Sequence, residues 1–359
     1  MFKIYQKYII NNFIIKFLYI CLVFATLTFI LNILEEISFL KDLDVKIWYP
    51  YFLTLLNLPI TIFEIFPFIF LLTTQFLFYE LFKNQELNLL KKNGLANLKI
   101  IKIIFFLSIA IGIINVGIYY NLASKFKFHY LNLKNQLSSD NKYLAMVTDS
   151  GLWIKDEINE NTLIIKSNFI KGNILHNTII NEFDNDFSLI RTIQSEKINI
   201  KDNYWIIYNP TITRDNITKE DTTSIILKTN FNEDKINSLF SNITTLNIIN
   251  LFTLKKEYEE IGYSSDEILH QIFKLSTTPL FYGILSVLSA IIMFNFSRNR
   301  SLIFNIILGI LMSVLIYYMN FIFSSLANNG KIPIIVSIFF PMFILTFISI
   351  IGLININEK

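Results

Sequence analysis

Six apolar runs, split three and three by a long polar stretch, constrain this chain more than any other feature. A transmembrane helix needs about 20 mainly apolar residues. Runs of that length lie at about 8–34, 60–82 and 100–122, and again at about 272–296, 301–326 and 332–354. The first is too long for a signal-peptide core, and no A-x-A site follows it. Pro59 introduces the second. From 123 to 265 no run is long enough to span. Composition agrees. Hydrophobic residues are 53% of the chain and charged residues only 16%, against about 25% charged in soluble domains. The expected fold class is an α-helical membrane protein with six transmembrane helices. An all-β extracytoplasmic domain sits between helices 3 and 4. The expected domains are 1–122, 123–265 and 266–359.

Charge placement predicts the orientation, because cytoplasmic loops collect Lys and Arg. Lys3 and Lys7 precede the first run. Lys83, Lys91, Lys92, Lys99 and Lys102 crowd the second loop, and Arg298 and Arg300 the fourth. The alternate loops carry Lys41 and Lys46, balanced by Asp42 and Asp44, and Lys331. Both termini are therefore expected in the cytoplasm and 123–265 outside, which is the periplasm in a cell with two membranes.

Within that domain, 151–156, 162–170, 173–183, 187–200, 204–214 and 224–231 are short and Ile-rich, broken by Asn, Asp, Gly and Pro. Such spacing predicts a sandwich or barrel. Ile198 and Ile200 alternate with Lys197, Asn199 and Lys201; elsewhere alternation is too broken to assign faces. A helix is expected over 247–261, capped by Gly262, and another starting at 266 with Ser265 as N-cap.

Several chemistries are excluded. Cys21 is the only cysteine, so disulfides and Cys-based metal sites are out. His129, His176 and His270 have no metal-ligand spacing. Gly330-Lys331 lacks the rest of a phosphate loop. A net charge of +3, spread along the chain, gives no nucleic-acid surface. No catalytic, metal or cofactor site is expected. Two acidic features stand out near the membrane. Glu64 falls close to the start of the second run, within reach of the interface. Glu35 and Glu36 end the first run, where acids oppose the helix dipole; solvated interfacial acids are their simplest reading.

The loop 80–99 is amphipathic, with Leu81, Leu87, Leu90 and Leu95 among Lys83, Glu86, Lys91 and Lys92. A short helix at about 80–95 is expected, ended by Gly94. Leu87, Leu90 and Lys91 fall on one side and Glu86 at the N-terminal turn. Such a helix lies on headgroups or docks into a partner.

In this layout, NQELNLLKKNG (84–94), GLWIKD (151–156) and NGKIPIIVSIFFP (329–341) resemble the LptF/LptG permeases of lipopolysaccharide export, over essentially the whole chain. The motifs are more similar to the G-type than to the F-type subunit. The resemblance implies a non-catalytic permease subunit whose domain is a periplasmic β-jelly roll. It implies an F-type permease partner, a cytoplasmic ATPase dimer docked at Leu81, Glu86, Leu87, Leu90, Lys91 and Gly94, and a periplasmic jelly-roll protein that takes the lipopolysaccharide onward. Lysines that family members carry near the outer ends of helices 1 and 2 read here as Asn32 and Ile60. Glu35, Glu36, Lys41, Lys46, Lys125 and Lys127 are the candidates for the lipid path. The alternative is a membrane-anchored β-domain that acts as an interaction module, coupled to an ATPase without transport. A membrane enzyme has little support, since no acid/base constellation is present.

Overall fold

The computed structural model describes residues 3–41, 43, 45–137, 152–158, 161–171, 173–214, 217–220, 223–233, 236, 242–260, 264–296 and 302–357. Asp42, Asp44, Gly151, Gly262, Arg298 and Arg300 lie outside these residues. The chain divides into two compact units. One is Met1–Lys127, Asn247–Phe252 and Ser264–Lys359; the other is Phe128–Leu246 and Thr253–Tyr263.

The first unit is helical, and two of the helices, over 120–137 and 248–260, run on into residues of the second. Helices α1 (Ile4–Leu40), α2 (Tyr49–Lys83), α3 (Glu86–Lys92) and α4 (Asn97–Ile114) come first. A π turn, Asn115–Tyr119, carries α4 into α5 (Tyr120–Leu137). After the β strands come α6 (Ile248–Glu260), α7 (Asp266–Phe296), α8 (Leu302–Asn328) and α9 (Ile334–Asn357). Among the described residues, six stretches are long and apolar enough to cross a membrane: α1, α2, α4 with α5, α7, α8 and α9.

Two helices run well past their sequence-predicted limits. α1 continues to Leu40, so Glu35 and Glu36 do not end it. α2 starts at Tyr49, and Pro50 rather than Pro59 marks its first turn. A proline there gives up an N–H that has no intrahelical acceptor anyway. Pro59 and Pro67 lie inside the helix. Interior prolines free carbonyl groups, and membrane helices tolerate them where hydroxyls and neighbouring helices supply other bonds. The carbonyls freed are those four residues earlier, of Leu55 and Phe63. Close by, Thr54 Oγ1 donates to Pro50 O at 2.8 Å, Thr61 Oγ1 to Asn57 O at 3.1 Å, and Tyr119 Oη of the neighbouring helix to Pro59 O at 3.0 Å.

α7 is the centre of this unit. Of its most apolar stretch 72% is buried, against 11% for α1 and 17% for α8. Between membrane helices there is no water to expel, so close packing and hydrogen bonds must supply the attraction. Small residues allow it. A Cβ on Gly112 of α4 would stand 2.7 Å from the Pro279 Cα of α7. Ser108 and Ser286 share a hydrogen bond at 2.8 Å across the same pair, and Ser289 Oγ donates to Leu71 O of α2 at 2.7 Å. The Tyr282 ring stacks on Phe70, centroids 4.4 Å apart. α8 meets α2 in the same manner. Buried Gln75 donates from Nε2 to Asn305 O at 3.0 Å, lying where a side chain on Gly309 would be. α7 starts at Asp266 as expected, with Leu269 N–H donating to Ser265 O and Asp266 N–H to Ser264 Oγ.

The second unit carries one antiparallel sheet of eight strands. They are β1 (Leu152–Ile158), β2 (Asn161–Lys171), β3 (Ile174–Phe183), β4 (Leu189–Asn199), β5 (Tyr204–Tyr208), β6 (Thr211–Arg214), β7 (Ile217–Glu220) and β8 (Ile225–Lys228). The order is β1-β2-β3-β4-β5-β8, with the β6–β7 hairpin branching from β4. The sequence-predicted strand 204–214 divides because Pro210 cannot donate to the ladder and Asn209 takes φ +45°. Ser195 of β4 fills the gap, donating to Tyr208 O at 2.6 Å. β7 was not among the expected strands; its few residues lack an apolar alternation. α6 buries Leu251 and Leu254, on one side of the helix, and half-buries Tyr258.

A crease crosses this sheet. β2 buries Leu163, Ile165 and Ser167, β3 buries Thr178 and Ile180, and β4 buries Ile193 and Ser195. Past Asn168, Asn177 and Glu196 the buried positions become Ile170, Leu175 and Ile198, out of phase by one residue. Those three residues occupy opposite positions on adjacent strands, at the step where pairing is skipped without a change of register. Asn177 sits at φ +49°, a conformation that Asn adopts more readily than most residues.

The two ends of the strand path are tied together. Asp156, buried at the end of β1, accepts from Asn230 N at 2.9 Å and from its Nδ2 at 2.8 Å, just past β8. Next to Asn230, the Phe231 carbonyl takes the indole N–H of buried Trp205 at 2.8 Å.

Two expected outcomes follow from this packing. Asp156→Ala removes both bonds that a buried carboxylate accepts from the exposed Asn230, a loss of about 1 kcal/mol. It should lower the melting temperature of the detergent-solubilised chain and shift Trp205 emission to the red at lower denaturant. Gly309→Ala should cost about 1–3 kcal/mol by overpacking, because its Cβ would fall 1.8 Å from Gln75 Nε2. Adding Gln75→Ala should return part of that loss in the same melting assay. A double variant no more stable than Gly309→Ala alone would refute this packing.

Candidate functional site

The α2–α4 loop is built as one rigid turn of helix. Gln85, at φ +58°, turns the chain out of α2 and into α3. Gly94, at φ +81°, turns it out again. Gly94 N–H donates to Lys91 O at 2.9 Å and Leu95 N–H to Leu90 O at 3.1 Å. This pair of bonds is the Schellman arrangement, which a residue without a Cβ forms at least cost.

Its side chains divide into an inner and an outer set. Leu81, at the end of α2, and Leu87 are 1% and 2% exposed. Leu90 is half-buried, and Lys91 is exposed with its Nζ 5.9 Å from the Phe294 ring centre of α7. The side holding Leu87, Leu90 and Lys91 therefore faces the helices. The outer set is Asn88, Leu89 and Lys92, and Leu89 is 58% exposed. Sequence reasoning passed over Leu89, although its position two residues after Leu87 places it on the opposite side. Glu86 is engaged within the chain. Tyr8 Oη of α1 donates to its Oε2 at 2.6 Å, and Asn84 Nδ2 to its Oε1 at 3.3 Å. Lys16 and Glu80 form a partly exposed ion pair between α1 and α2.

The candidates at the other ends of these helices are dispersed. Glu35 is exposed while Glu36 is 1% exposed. The expectation of two solvated acids thus fails for Glu36, because adjacent residues on a continuing helix point about 100° apart. Lys41, Lys46 and Lys125 are exposed; Lys127 is half-buried, with Nζ donating to Asn57 Oδ1 of α2 at 2.8 Å. Asn32 is half-buried and Ile60 buried.

Glu64 has a different setting from the one expected. With α2 beginning at Tyr49, it lies well inside the helix and not near its start. It opens into a cavity of about 360 Å³ between α2, α7, α8 and α9. His270, Lys274, Asn320 and Ser324 line the same space, against a wall that includes Phe63 and Phe281. A carboxyl group, an amine and an imidazole thus converge among apolar helices. Ionisable groups in such positions mark functional pathways far more often than ordinary packing does. Among the described residues, no three His, Cys, Asp or Glu side chains gather so as to hold a metal ion.

No curated protein matches the chain. The family model for the lipopolysaccharide export system permease LptF/LptG matches residues 7–355, nearly the whole chain. The chain belongs to the LptF/LptG family of lipopolysaccharide export permeases.

Proposed function

We propose that this chain is the G-type permease subunit of an ATP-driven complex that extracts lipopolysaccharide from the inner membrane. The family match over residues 7–355 carries this reading. GLWIKD at 151–156 and NGKIPIIVSIFFP at 329–341 favour the G-type subunit. An F-type permease completes the lipid cavity, and a cytoplasmic ATPase dimer supplies the energy. This chain itself performs no chemistry.

The poorly buried α1 and α8 support a partnership. Both leave large apolar side chains uncovered along their length, among them Leu18, Leu22 and Leu31 on α1 and Ile307, Leu311 and Phe321 on α8. In a membrane these faces meet lipid tails, an F-type subunit or the acyl chains of the cargo. The Lys/Arg bias places both termini and α3 in the cytoplasm and 123–265 in the periplasm. The curled sheet then acts as the periplasmic jelly roll. It hands lipid to a further jelly-roll protein through an unpaired edge, such as β1 or β8. Lys41, Lys46, Lys125 and Lys127 stand in for the lysines lost at positions 32 and 60 and meet anionic groups of the lipid along the path, beside Glu35 and Glu36.

On the cytoplasmic side, Leu89 and its polar neighbours form the docking contact, while Leu81, Leu87, Leu90 and Gly94 shape the helix from beneath. Co-reconstitution of the chain with an F-type subunit and the ATPase in lipopolysaccharide-containing liposomes tests the reading. ATP should drive lipid release to an acceptor protein, and a wild-type complex that hydrolyses ATP without release would overturn export. Leu89→Asp should weaken ATPase binding about tenfold or more, as loss of an apolar contact at the centre of an interface does, with the melting temperature unchanged. Tyr8→Phe should leave ATPase binding intact and lower lipid released per ATP, because it cuts the tie from α1 to Glu86 alone. Wild-type behaviour of both variants would remove the coupling role from α3.

A further inference from the structure

We propose that the crease of the β unit is a saccharide-binding site. This deepens the export reading, since the sugar portion of lipopolysaccharide is the ligand in view. The crease opens into a cavity of about 640 Å³, lined among others by Asn168, Asn177, Gln194, Glu196, Tyr208 and Asn209. Small-molecule sites span about 300–1,000 Å³.

The chemistry of the lining selects the ligand. Asn168, Asn177, Gln194 and Asn209 are exposed, and their amides make no hydrogen bond among the described residues. A primary amide presents two donors and an acceptor in one plane. Adjacent sugar hydroxyls, each both donor and acceptor, match that pattern. Tyr208 is 40% exposed and offers an aromatic face to the C–H side of a sugar ring. Glu196 and Lys197 contribute opposite charges side by side, so the lining has no excess positive charge to attract a phosphate. An acyl chain finds too little apolar wall.

The backbone contributes as well. Of the four non-glycine residues at positive φ among the described residues, Asn177 and Asn209 both line this cavity. Such conformations are costly and gather where a ligand is held. Where Asn168, Asn177 and Glu196 skip their pairing, the buried Ser167 hydroxyl donates to the His176 carbonyl and the buried Ser195 hydroxyl accepts from the Lys197 N–H, which leaves the outward side chains free for a ligand. Curvature would account for the skipped pairs. The positive φ at 177 and 209 accounts for Asn there, but curvature places no demand on the outward amides of Asn168 and Gln194.

The test uses the full-length chain in detergent micelles, with deacylated core oligosaccharide as the probe and saturation-transfer NMR as the readout. Asn168→Ala, Gln194→Ala and Tyr208→Ala are compared with Tyr204→Ala, which is outside the cavity on the same strand. Unchanged Trp205 emission verifies the fold of each. Wild-type and Tyr204→Ala should bind, and each crease variant should bind at least about fivefold more weakly, the loss of one or two hydrogen bonds. No transfer to the wild-type chain, or equal binding by all four variants, would overturn the proposal. Release of intact lipopolysaccharide by the reconstituted wild-type complex is measured separately. Oligosaccharide binding without release would sink the export reading and leave the saccharide site standing. Release without oligosaccharide binding would do the reverse.

Discussion

The contact between α4 and α7 at Gly112 and Pro279 is the constraint on which the helical unit rests. Two backbones meet there with no room for a Cβ. That closeness places Ser108 within bonding distance of Ser286 and brings α7 deep enough for Ser289 to reach α2. Each bond is modest, about 1 kcal/mol in membrane interiors. Together they fix one rotation of α7 about its axis. That rotation turns His270 and Lys274 into the cavity shared with Glu64. The polar cavity is thus a consequence of packing by small residues elsewhere on the same helices.

Much of the helical architecture was legible in the sequence, because apolar runs of spanning length have few alternatives in a lipid solvent. Helix limits were less so. Pro59 reads as a helix start in a soluble chain, yet here the helix passes through it, as membrane helices allow where neighbouring helices pack against the proline, and Tyr119 reaches across to its carbonyl. Nothing in the local sequence announces Tyr119 as a partner sixty residues away. The misplaced start carried Glu64 with it and made a cavity residue look interfacial.

The β unit was misread in part for a different reason. A strand shows its faces by strict alternation, and β2, β3 and β4 each lose phase once at the crease. Read singly, each pattern looks broken. Only the register reveals that the three slips share one level, at Asn168, Asn177 and Glu196. Similarly, the helical spacing of the 86–92 segment grouped Leu87 with Leu90 and Lys91 correctly. Which side of that helix the bundle would cover depends on Phe294, more than two hundred residues on.

The hydrogen bond from Tyr8 to Glu86 has a mechanical consequence. α3 is bounded by two left-handed residues, Gln85 and Gly94, so it stands as a short peg between two sharp turns of the chain. Tyr8 is the strut that joins this peg to the foot of α1. A displacement of the peg is therefore delivered as a sideways pull on a helix of 37 residues, buried over little of its length. α1 is in turn clasped to α2, with Phe13 and Phe17 against Phe66 and Phe70 and Lys16 paired with Glu80, so any pull at its foot is shared between the two helices that carry Glu35 and Glu64.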